Sequence, residues 1–220
     1  MSESSPGFAD QTLTRADLAP LTGEDVHLVN CTLDEADLKG LDLSSFVFER
    51  CSLAETSFIG ATLEFARFAH CRGAKADFSG SNCTEALFSD CDFNNGSFHG
   101  ATLTSTRFRT CKLTGVDFAK VHTFDIGFTD CLLVAARLPA MTFRKEKLVG
   151  IDLSMADLSD CDFRDAVFER SSLREANIER ANFQHADLRG ADLGGLNLLK
   201  DRQRFRGAVI SAAQAELVLD

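Results

Sequence analysis

Residues 76–113 read ADFSG SNCTE ALFSD CDFNN GSFHG ATLTS TRFRT CKL, and every fifth position from Phe78 to Leu113 is Phe or Leu, except Cys83. The residue two places before each of these positions is small or apolar, as in Ala76 and Cys111. A period of five matches neither the 3.6 residues of a helix nor the 2 residues of a flat strand. The pattern therefore predicts a coil that turns a corner once in every five residues.

The same register continues from Phe8 to Leu198 without insertion or deletion. Of its 39 positions, 35 are Leu, Phe or Ile, and 15 of the 19 Phe residues of the chain lie on it. Self-similarity of this kind indicates one repeat array. We expect a flexible N-terminus at residues 1–7, repeats at 8–198, and a basic connector with a C-terminal helix at 199–220.

Two longer spacings indicate how many sides one coil has. Cysteines recur every twenty residues, and so do glycines at a corner position: Cys31, Cys51, Cys71, Cys91, Cys111 and Cys131, and Gly40, Gly60, Gly80 and Gly100. Four groups of five residues then bring the chain back above itself, and the glycines suit turns that need a positive φ. The sequence predicts an all-β, four-sided coil of about ten turns with strand-like spacing between neighbouring turns.

The pattern weakens between Val121 and Lys147. Glu146 occupies a position that should point inward, and Pro139 follows a central Leu. Because an unpaired buried carboxylate is costly, we expect a local bulge or rotation near residues 139–147. The alternative is that Glu146 pairs with Lys145 or Lys147.

The repeat stops after Leu198. Ser211 followed three residues later by Gln214 is a capping box and predicts a short helix from about Ala212 to Leu219. So short a helix needs a partner surface, which is either the last coil or a second chain. The apolar residues for a homodimer contact are Val209, Ile210, Leu217, Val218 and Leu219, and simple end-capping is the alternative.

The composition excludes several classes of function. A net charge of −10 and a pI near 5.0 argue against direct nucleic-acid binding, which needs a basic surface. The N-terminus has no basic and apolar regions typical of a signal peptide, and no apolar run approaches the ~20 residues of a membrane helix. We expect a cytoplasmic protein without a membrane partner.

No pattern typical of catalysis, of a metal or of a cofactor site is present. The five His residues fall at outward or corner positions, whereas the cysteines fall at inward ones, so that a mixed zinc site or a Cys–His pair is not expected. The cysteine column is within disulfide reach if coils stack. The simpler interpretation is a set of small buried residues in a reducing compartment, and a redox protein is the alternative.

The acidic residues are the remaining signal. Five aspartates precede a central residue on the same side of the predicted coil: Asp17, Asp37, Asp77, Asp117 and Asp157. They are our candidate partner-binding acidic face. The alternative is structural, because Asp at such a corner can accept a hydrogen bond from nearby backbone.

The units ADLKG, ADFSG, ADLSD, ANFQH, ADLRG and ADLGG resemble those of pentapeptide repeat proteins. The resemblance implies a right-handed quadrilateral β-helix. Within the family, an acidic coil that ends in a short helix resembles the Qnr and mycobacterial fluoroquinolone-resistance type. In that type the helix joins two chains end to end, and the dimer mimics DNA at DNA gyrase. Many Qnr members carry loops that interrupt the register, and this chain has none.

The resemblance thus implies a non-enzymatic DNA mimic that binds DNA gyrase or topoisomerase IV and protects it from a fluoroquinolone or a natural-product inhibitor. The alternative is a structural or interaction scaffold of the same family with no topoisomerase role. Monomeric behaviour would favour the scaffold, since the mimic requires a two-fold assembly.

Overall fold

The structure, a computed structural model, describes residues 7–196, 198 and 202–219, the last three by their backbone alone. Most of the N-terminal segment predicted to be flexible, and Lys200 of the basic connector, lie outside the described residues. The chain forms two compact units, Met1–Gly127 and Phe128–Asp220. Each unit is built of four-sided parallel β-coils, so the predicted all-β class and quadrilateral β-helix are confirmed.

The strands are short because each coil turns a corner every five residues. Those of the first unit are β1 (Gly7–Ala9), β2 (His27–Val29), β3 (Val47–Glu49), β4 (Arg67–Ala69), β5 (Leu87–Ser89) and β6 (Arg107–Arg109). The next strand, β7 (Gly127–Thr129), begins at the last residue of that unit. It is followed by β8 (Lys147–Val149), β9 (Val167–Glu169), β10 (Ser171–Ser172) and β11 (Ala191–Asp192).

The register is twenty residues per coil, as the cysteine and glycine spacings predict. Phe48 of β3 lies opposite Phe68 of β4, and all pairs of this kind are parallel. The other sides are joined by single parallel bridges, for example Asp42 with Thr62. Backbone groups that point along the coil axis are thus paired with the next coil, which explains why so few residues per side suffice.

Two columns of phenylalanine fill the first unit. The rings of Phe48, Phe68, Phe88 and Phe108 stack at centroid distances of 4.6, 4.7 and 4.7 Å. A second stack contains Phe58, Phe78, Phe98 and Phe118, and it meets the first edge to face at 5.5–6.0 Å. Both arrangements are favoured by the ring quadrupole, so the repeat places aromatic groups at their preferred separations.

Gly73 shows why one central position departs from the pattern. A Cβ at this residue would clash with the ring of Phe93, which fills the space that a larger residue 73 would occupy. Phe93 packs edge to face on Phe78 at 5.4 Å. The ring of Phe93, in the next coil, therefore fills the core space that the side chain of residue 73 would otherwise occupy.

Corner residues adopt a positive φ along both units. The corner glycines predicted to do so are confirmed, with φ of 65° at Gly60 and 63° at Gly80. The same conformation is also taken by Ser45, Phe65 and Glu85 at φ of 57–62°. The left-handed conformation is thus required by the coil at these corners and is not reserved for glycine, although each other residue type adopts it with some strain.

A short helix that the repeat pattern did not predict interrupts the first unit. Helix α1 (Arg15–Leu18) is followed by a 3₁₀ turn (Ala19–Leu21). Its N-terminus is closed by a capping box in which Thr14 and Asp17 satisfy each other's backbone groups. Leu18 remains fully buried, so the core position of the repeat is kept while the backbone changes.

The bulge expected near residues 139–147 is not present. Ala140 and Lys145 have the usual positive φ, and the amide of Val167 donates to the carbonyl oxygen of Glu146 over 2.9 Å, in the regular register. The alternative pairing of Glu146 with Lys145 or Lys147 is also not found in the described part of the chain. Glu146 is solvent-exposed, so its carboxylate avoids burial without a change of register.

The ladder of the second unit continues past the end of the pentapeptide pattern. The amides of Phe183 and Leu188 donate to the carbonyl oxygens of Arg204 and Val209, an offset of 21 residues where the regular coils have 19, as from Phe163 to Asn182. Phe205 stacks on Phe183 at 5.1 Å and extends the column of rings. The residues following this connector form the predicted helix, α2 (Ala212–Leu219). Neither helix in the described ranges has the length and apolar character needed to span a membrane.

Candidate interaction surface

The five aspartates predicted from the sequence do not have one common environment. Asp17 lies in α1, where the backbone amide and hydroxyl of Thr14 donate to its Oδ2 over 2.8 and 2.7 Å. These hydrogen bonds lower the pKa of the Asp17 carboxyl below its usual value. Asp17 therefore serves as the cap of a helix rather than as a member of a regular column.

The other four aspartates each accept a backbone hydrogen bond at Oδ1. The donors are the amides two residues ahead, at distances of 2.9–3.2 Å: Lys39 for Asp37, Ser79 for Asp77, Ala119 for Asp117 and Ser159 for Asp157. The structural alternative weighed from the sequence is thus present at every one of them. One carboxylate oxygen of each residue therefore holds a turn.

The column is partly neutralised. Lys39 Nζ lies 4.0 Å from Asp37, and His99 Nδ1 lies 3.4 Å from Asp117. In the second unit the residue bridged to Asp157 is Arg137. A partner-binding face made of this column alone would therefore be discontinuous in charge.

A neighbouring side of the first unit is more uniformly acidic. This acidic side comprises the pentads 41–45, 61–65, 81–85, 101–105 and 121–125, joined by parallel bridges from Asp42 through Thr62, Asn82 and Thr102 to His122. It contains Asp42, Glu64, Glu85 and Asp125, and no Lys or Arg. The ladder bonds Ser45 N to Glu64 O and Glu85 N to Thr104 O, both 2.8 Å, hold it flat.

Three of these carboxylates have no basic partner among the described residues. Asp42 accepts from the amide and hydroxyl of Ser44, and Glu64 accepts from the side-chain amide of Asn82 over 2.6 Å. These neutral donors fix the carboxylates without cancelling their charge. Asp125 differs, because Arg107 Nη2 lies 2.6 Å from it at the end of the side.

The carboxylates of the acidic side lie along a diagonal, so inspection of one repeat position does not reveal them. Asp42, Glu64 and Glu85 occupy successive coils at three different outward positions of the pentad. From coil and residue spacings, neighbouring carboxylates are roughly 6–8 Å apart. The sequence signal for this surface is the charge summed over all three outward positions of every pentad on one side of the coil.

The basic residues of the first unit lie mainly on the other two sides. Lys39 and Lys120 lie on the side of the aspartate column and Arg15 lies in α1, whereas the strands and turns of the other two sides carry Arg50, Arg67, Arg72, Lys75, Arg107, Arg109 and Lys112. Arg50, His70 and Arg72 line a shallow groove of about 560 Å³ there. The net acidity of this unit is thus concentrated on one half of its cross-section, which orients it in the field of a charged partner.

The acidic side does not extend into the corresponding pentads of the second unit. Residues 141–145 and 161–165 carry Arg144, Lys145 and Arg164, and Arg164 forms a 2.6 Å ion pair with Asp162. The uniform charge is therefore a property of the first unit alone.

Two phenylalanine rings project from the acidic side. Phe65 is 50% exposed and Phe124 is 75% exposed, whereas the central Phe residues from Phe48 to Phe118 are fully buried. Phe124 follows Thr123, the one hydroxyl residue at a central position, and lies next to the Arg107–Asp125 ion pair. Aromatic residues are enriched in protein interfaces, so two exposed rings on one side favour an interaction surface there.

The cysteine column is buried and forms no disulfide, as expected of small core residues. Burial raises the pKa of the Cys83 and Cys161 thiols to about 12, which keeps them protonated. No group of three or more His, Cys, Asp or Glu in the described ranges is arranged to hold a metal ion.

The predicted dimer residues are only partly described. Val209 is 46% exposed and is bridged to Asp187, while Ile210 is half-buried. The side chains of Leu217, Val218 and Leu219 lie outside the described residues. The capping box is confirmed. The side-chain oxygen of Gln214 accepts from the backbone amide of Ser211 over 2.6 Å, and the backbone amide of Gln214 donates to Ser211 Oγ over 3.2 Å.

The repeats match known family models over more than half of the chain. Residues 21–98 and 41–118 match the pentapeptide repeat region, and residues 147–197 match pentapeptide repeats in eight copies. The chain belongs to the pentapeptide repeat proteins. No curated protein sequence matches it. The family and the β-helix implied by the resemblance are thus confirmed.

Solved structures of one relative share this pentapeptide repeat fold. They are of QnrB1, a plasmid-mediated fluoroquinolone resistance protein. The full-length form is 20% identical, with a TM-score of 0.69 over 98% of this chain and 96% of QnrB1. A trypsin-treated variant is 21% identical, with a TM-score of 0.69 over 98% and 94%. At this identity the likeness concerns the fold.

Proposed function

We propose that this protein is a DNA mimic that binds DNA gyrase or topoisomerase IV and protects the enzyme from a poison such as a fluoroquinolone or a natural-product inhibitor. The observation that carries the proposal is the acidic side, in which Asp42, Glu64 and Glu85 have no basic partner among the described residues. The shared fold with a fluoroquinolone resistance protein supports the choice of partner.

The mechanism is electrostatic and involves no covalent step. A topoisomerase binds DNA on a basic surface, and DNA carries one negative charge per ~1.7 Å of helix axis. A rigid row of unpaired carboxylates occupies such a surface in the same way, because the coil ladder fixes their positions before binding. The other two sides of the first unit carry about as many basic as acidic residues, so a basic surface attracts them less than it attracts the acidic side.

The binding orientation also leaves the ends of the coil stack available. We include in the proposal a homodimer through the C-terminal end, to which Val209 and Ile210 contribute. Sedimentation or light scattering of the intact protein tests that part separately: a single-chain mass at micromolar concentration contradicts the dimer and favours a monomeric scaffold.

The decisive experiment compares two triple variants of identical composition change. Asp42→Asn, Glu64→Gln and Glu85→Gln neutralise the acidic side, while Asp34→Asn, Glu35→Gln and Glu55→Gln neutralise three carboxylates of another side of the same unit. Binding to purified gyrase and topoisomerase IV is measured at two salt concentrations, together with supercoiling in the presence of inhibitor.

We expect the acidic-side triple to weaken binding about tenfold or more and the control triple to change it less than about threefold. Wild-type affinity should fall as salt rises. No binding and no rescue by wild-type protein at micromolar concentration would refute the topoisomerase proposal. Equal losses for both triples would refute the assignment to this side.

A further inference from the structure

Phe65 has an unusual combination of conformation and exposure. Its φ is +59°, a left-handed conformation that a bulky residue rarely adopts, and half of its surface is open to solvent. The residues at the same corner in the coils before and after it are Ser45 and Glu85, which are polar. The corner itself therefore does not call for an aromatic ring.

The ring also gives the interior nothing that the interior lacks. Phe65 makes no ring contact in the described part of the chain, and the core positions on either side of it are filled by Leu63 and Ala66, which are fully buried. Its backbone is held firmly, since the amide donates to the carbonyl oxygen of Thr84 over 3.0 Å. A half-exposed ring on a strained, hydrogen-bonded backbone, off the central register, is best explained by what it contacts from outside.

The surroundings of Phe65 define the chemistry of that contact. Glu64 precedes it in the chain, Glu85 follows in the next coil, and the whole acidic side carries no Lys or Arg. A surface that covers the ring must therefore supply positive charge around an apolar pocket. Phe124, at the far end, lies beside the Arg107–Asp125 ion pair and is less suited to the same partner.

Charge also argues against two other occupants. A second copy that presented its own acidic side would place carboxylates against carboxylates, which is unfavourable. Nucleic acid would bring negatively charged phosphates against the same carboxylates, which is unfavourable for the same reason. A basic protein surface is the occupant whose charge complements the site.

We propose that Phe65 is an aromatic anchor that inserts into an apolar pocket within the basic surface of the partner, with Glu64 and Glu85 pairing to cations at the pocket rim. This inference rests on the proposed function and deepens it. DNA mimicry then supplies long-range attraction, while the anchor supplies a contact that DNA backbone lacks, and hence slows dissociation.

Asn is the substitution that separates binding from folding. Asn tolerates a left-handed φ better than Phe, so Phe65→Asn should leave the melting temperature unchanged or raise it. Met155→Asn is the matched control, because Met155 is 54% exposed and has φ of +58° at the same pentad position, on another side of a coil in the second unit. Both variants have the same net charge as the wild type.

The dissociation constant and dissociation rate for purified gyrase and topoisomerase IV are measured for wild type, Phe65→Asn and Met155→Asn, with light scattering of each protein alone. We expect Phe65→Asn to bind about tenfold or more weakly, mainly through faster dissociation, and Met155→Asn to bind within about twofold of wild type. Wild-type binding with an unchanged Phe65→Asn affinity overturns the anchor alone. Absent wild-type binding overturns both proposals. A lower mass of Phe65→Asn identifies a second copy as the occupant and overturns the anchor.

Discussion

The side-chain amide of Gln214 donates a hydrogen bond to the carbonyl oxygen of Ala191 over 2.6 Å and so joins helix α2 to the last regular coil of the second unit. The same Nε2 also donates to Leu188 over 2.8 Å, and Gln214 is buried. The open end of a β-coil exposes unpaired carbonyl oxygens. One glutamine therefore acts both in the helix cap and in closing the end of the coil.

Replacing Gln214 tests this closure. Gln214→Leu keeps an apolar stem but removes both donors, so we expect the last coil to lose about 1–3 kcal/mol of local stability. Amide hydrogen exchange of residues 186–191 should accelerate accordingly, while exchange in the first unit stays unchanged. Glu216→Gln, on the exposed face of the same helix, is the control. Unchanged protection of residues 186–191 in Gln214→Leu would show that the glutamine is dispensable.

Phenylalanines at the centre and at the surface of the first unit should differ sharply in their effect on stability. Phe78 stacks at 4.7 Å on both Phe58 and Phe98, whereas Phe65 is half exposed. Phe78→Ala should lower the free energy of unfolding by about 3–5 kcal/mol, and Phe65→Ala should change it by less than ~0.5 kcal/mol. Urea denaturation followed by circular dichroism measures both. Similar losses at the two positions would contradict the assignment of Phe65 to the surface.

The thiols should be inert until the protein unfolds. All eight cysteines are buried and none forms a disulfide. Burial raises the pKa of Cys83 and Cys161 to about 12, whereas hydrogen bonds with Cys51 and Cys91 lower the pKa of the Cys71 thiol, which is buried as well. Because Ellman's reagent must reach a thiolate, native protein at pH 8 should react with it only on the timescale of unfolding. In denaturant all eight should react at once. Rapid labelling of the native protein would instead support a redox role for the column.

The register of the core could be predicted from the sequence because side-chain size repeats without interruption. Every buried column, including the stacked rings of Phe78 and Phe98, follows from the period of five and the period of twenty. Helix α1 was missed because Leu18 keeps its core position, so that the central residues alone do not reveal a change of backbone. The capping box of Thr14 and Asp17, with Pro20 and Gly23 beyond it, is the signal that was available.

Surface features were harder to predict, for a different reason. A bulge is expected at Glu146 if the inward position of the pentad always buries its side chain. The side chain of Glu146 is instead exposed in a regular coil. The aspartate column was chosen from one repeat position, whereas charge acts over a whole side of the coil. Asp42, Glu64 and Glu85 occupy three different repeat positions, and Phe65 lies off the central register, so only the stacking of coils brings them together.

The second unit should lose stability in acid in a way that depends on one ion pair. Arg180 contacts Asp160 through Nε and Nη2 at 2.6 and 2.7 Å, and these hydrogen bonds lower the pKa of the Asp160 carboxyl below 3.8, its usual value. A depressed folded-state pKa contributes stability above about pH 3.8 that is lost as the pH falls through the lower folded value. Asp160→Asn should therefore melt below wild type at pH 6, with a difference that shrinks between pH 4 and pH 2. Glu175→Gln, which removes a carboxylate without an ion pair in the described residues, is the control. A difference for Asp160→Asn that stays constant down to pH 2 would show that the Arg180 contact does not stabilise the folded state.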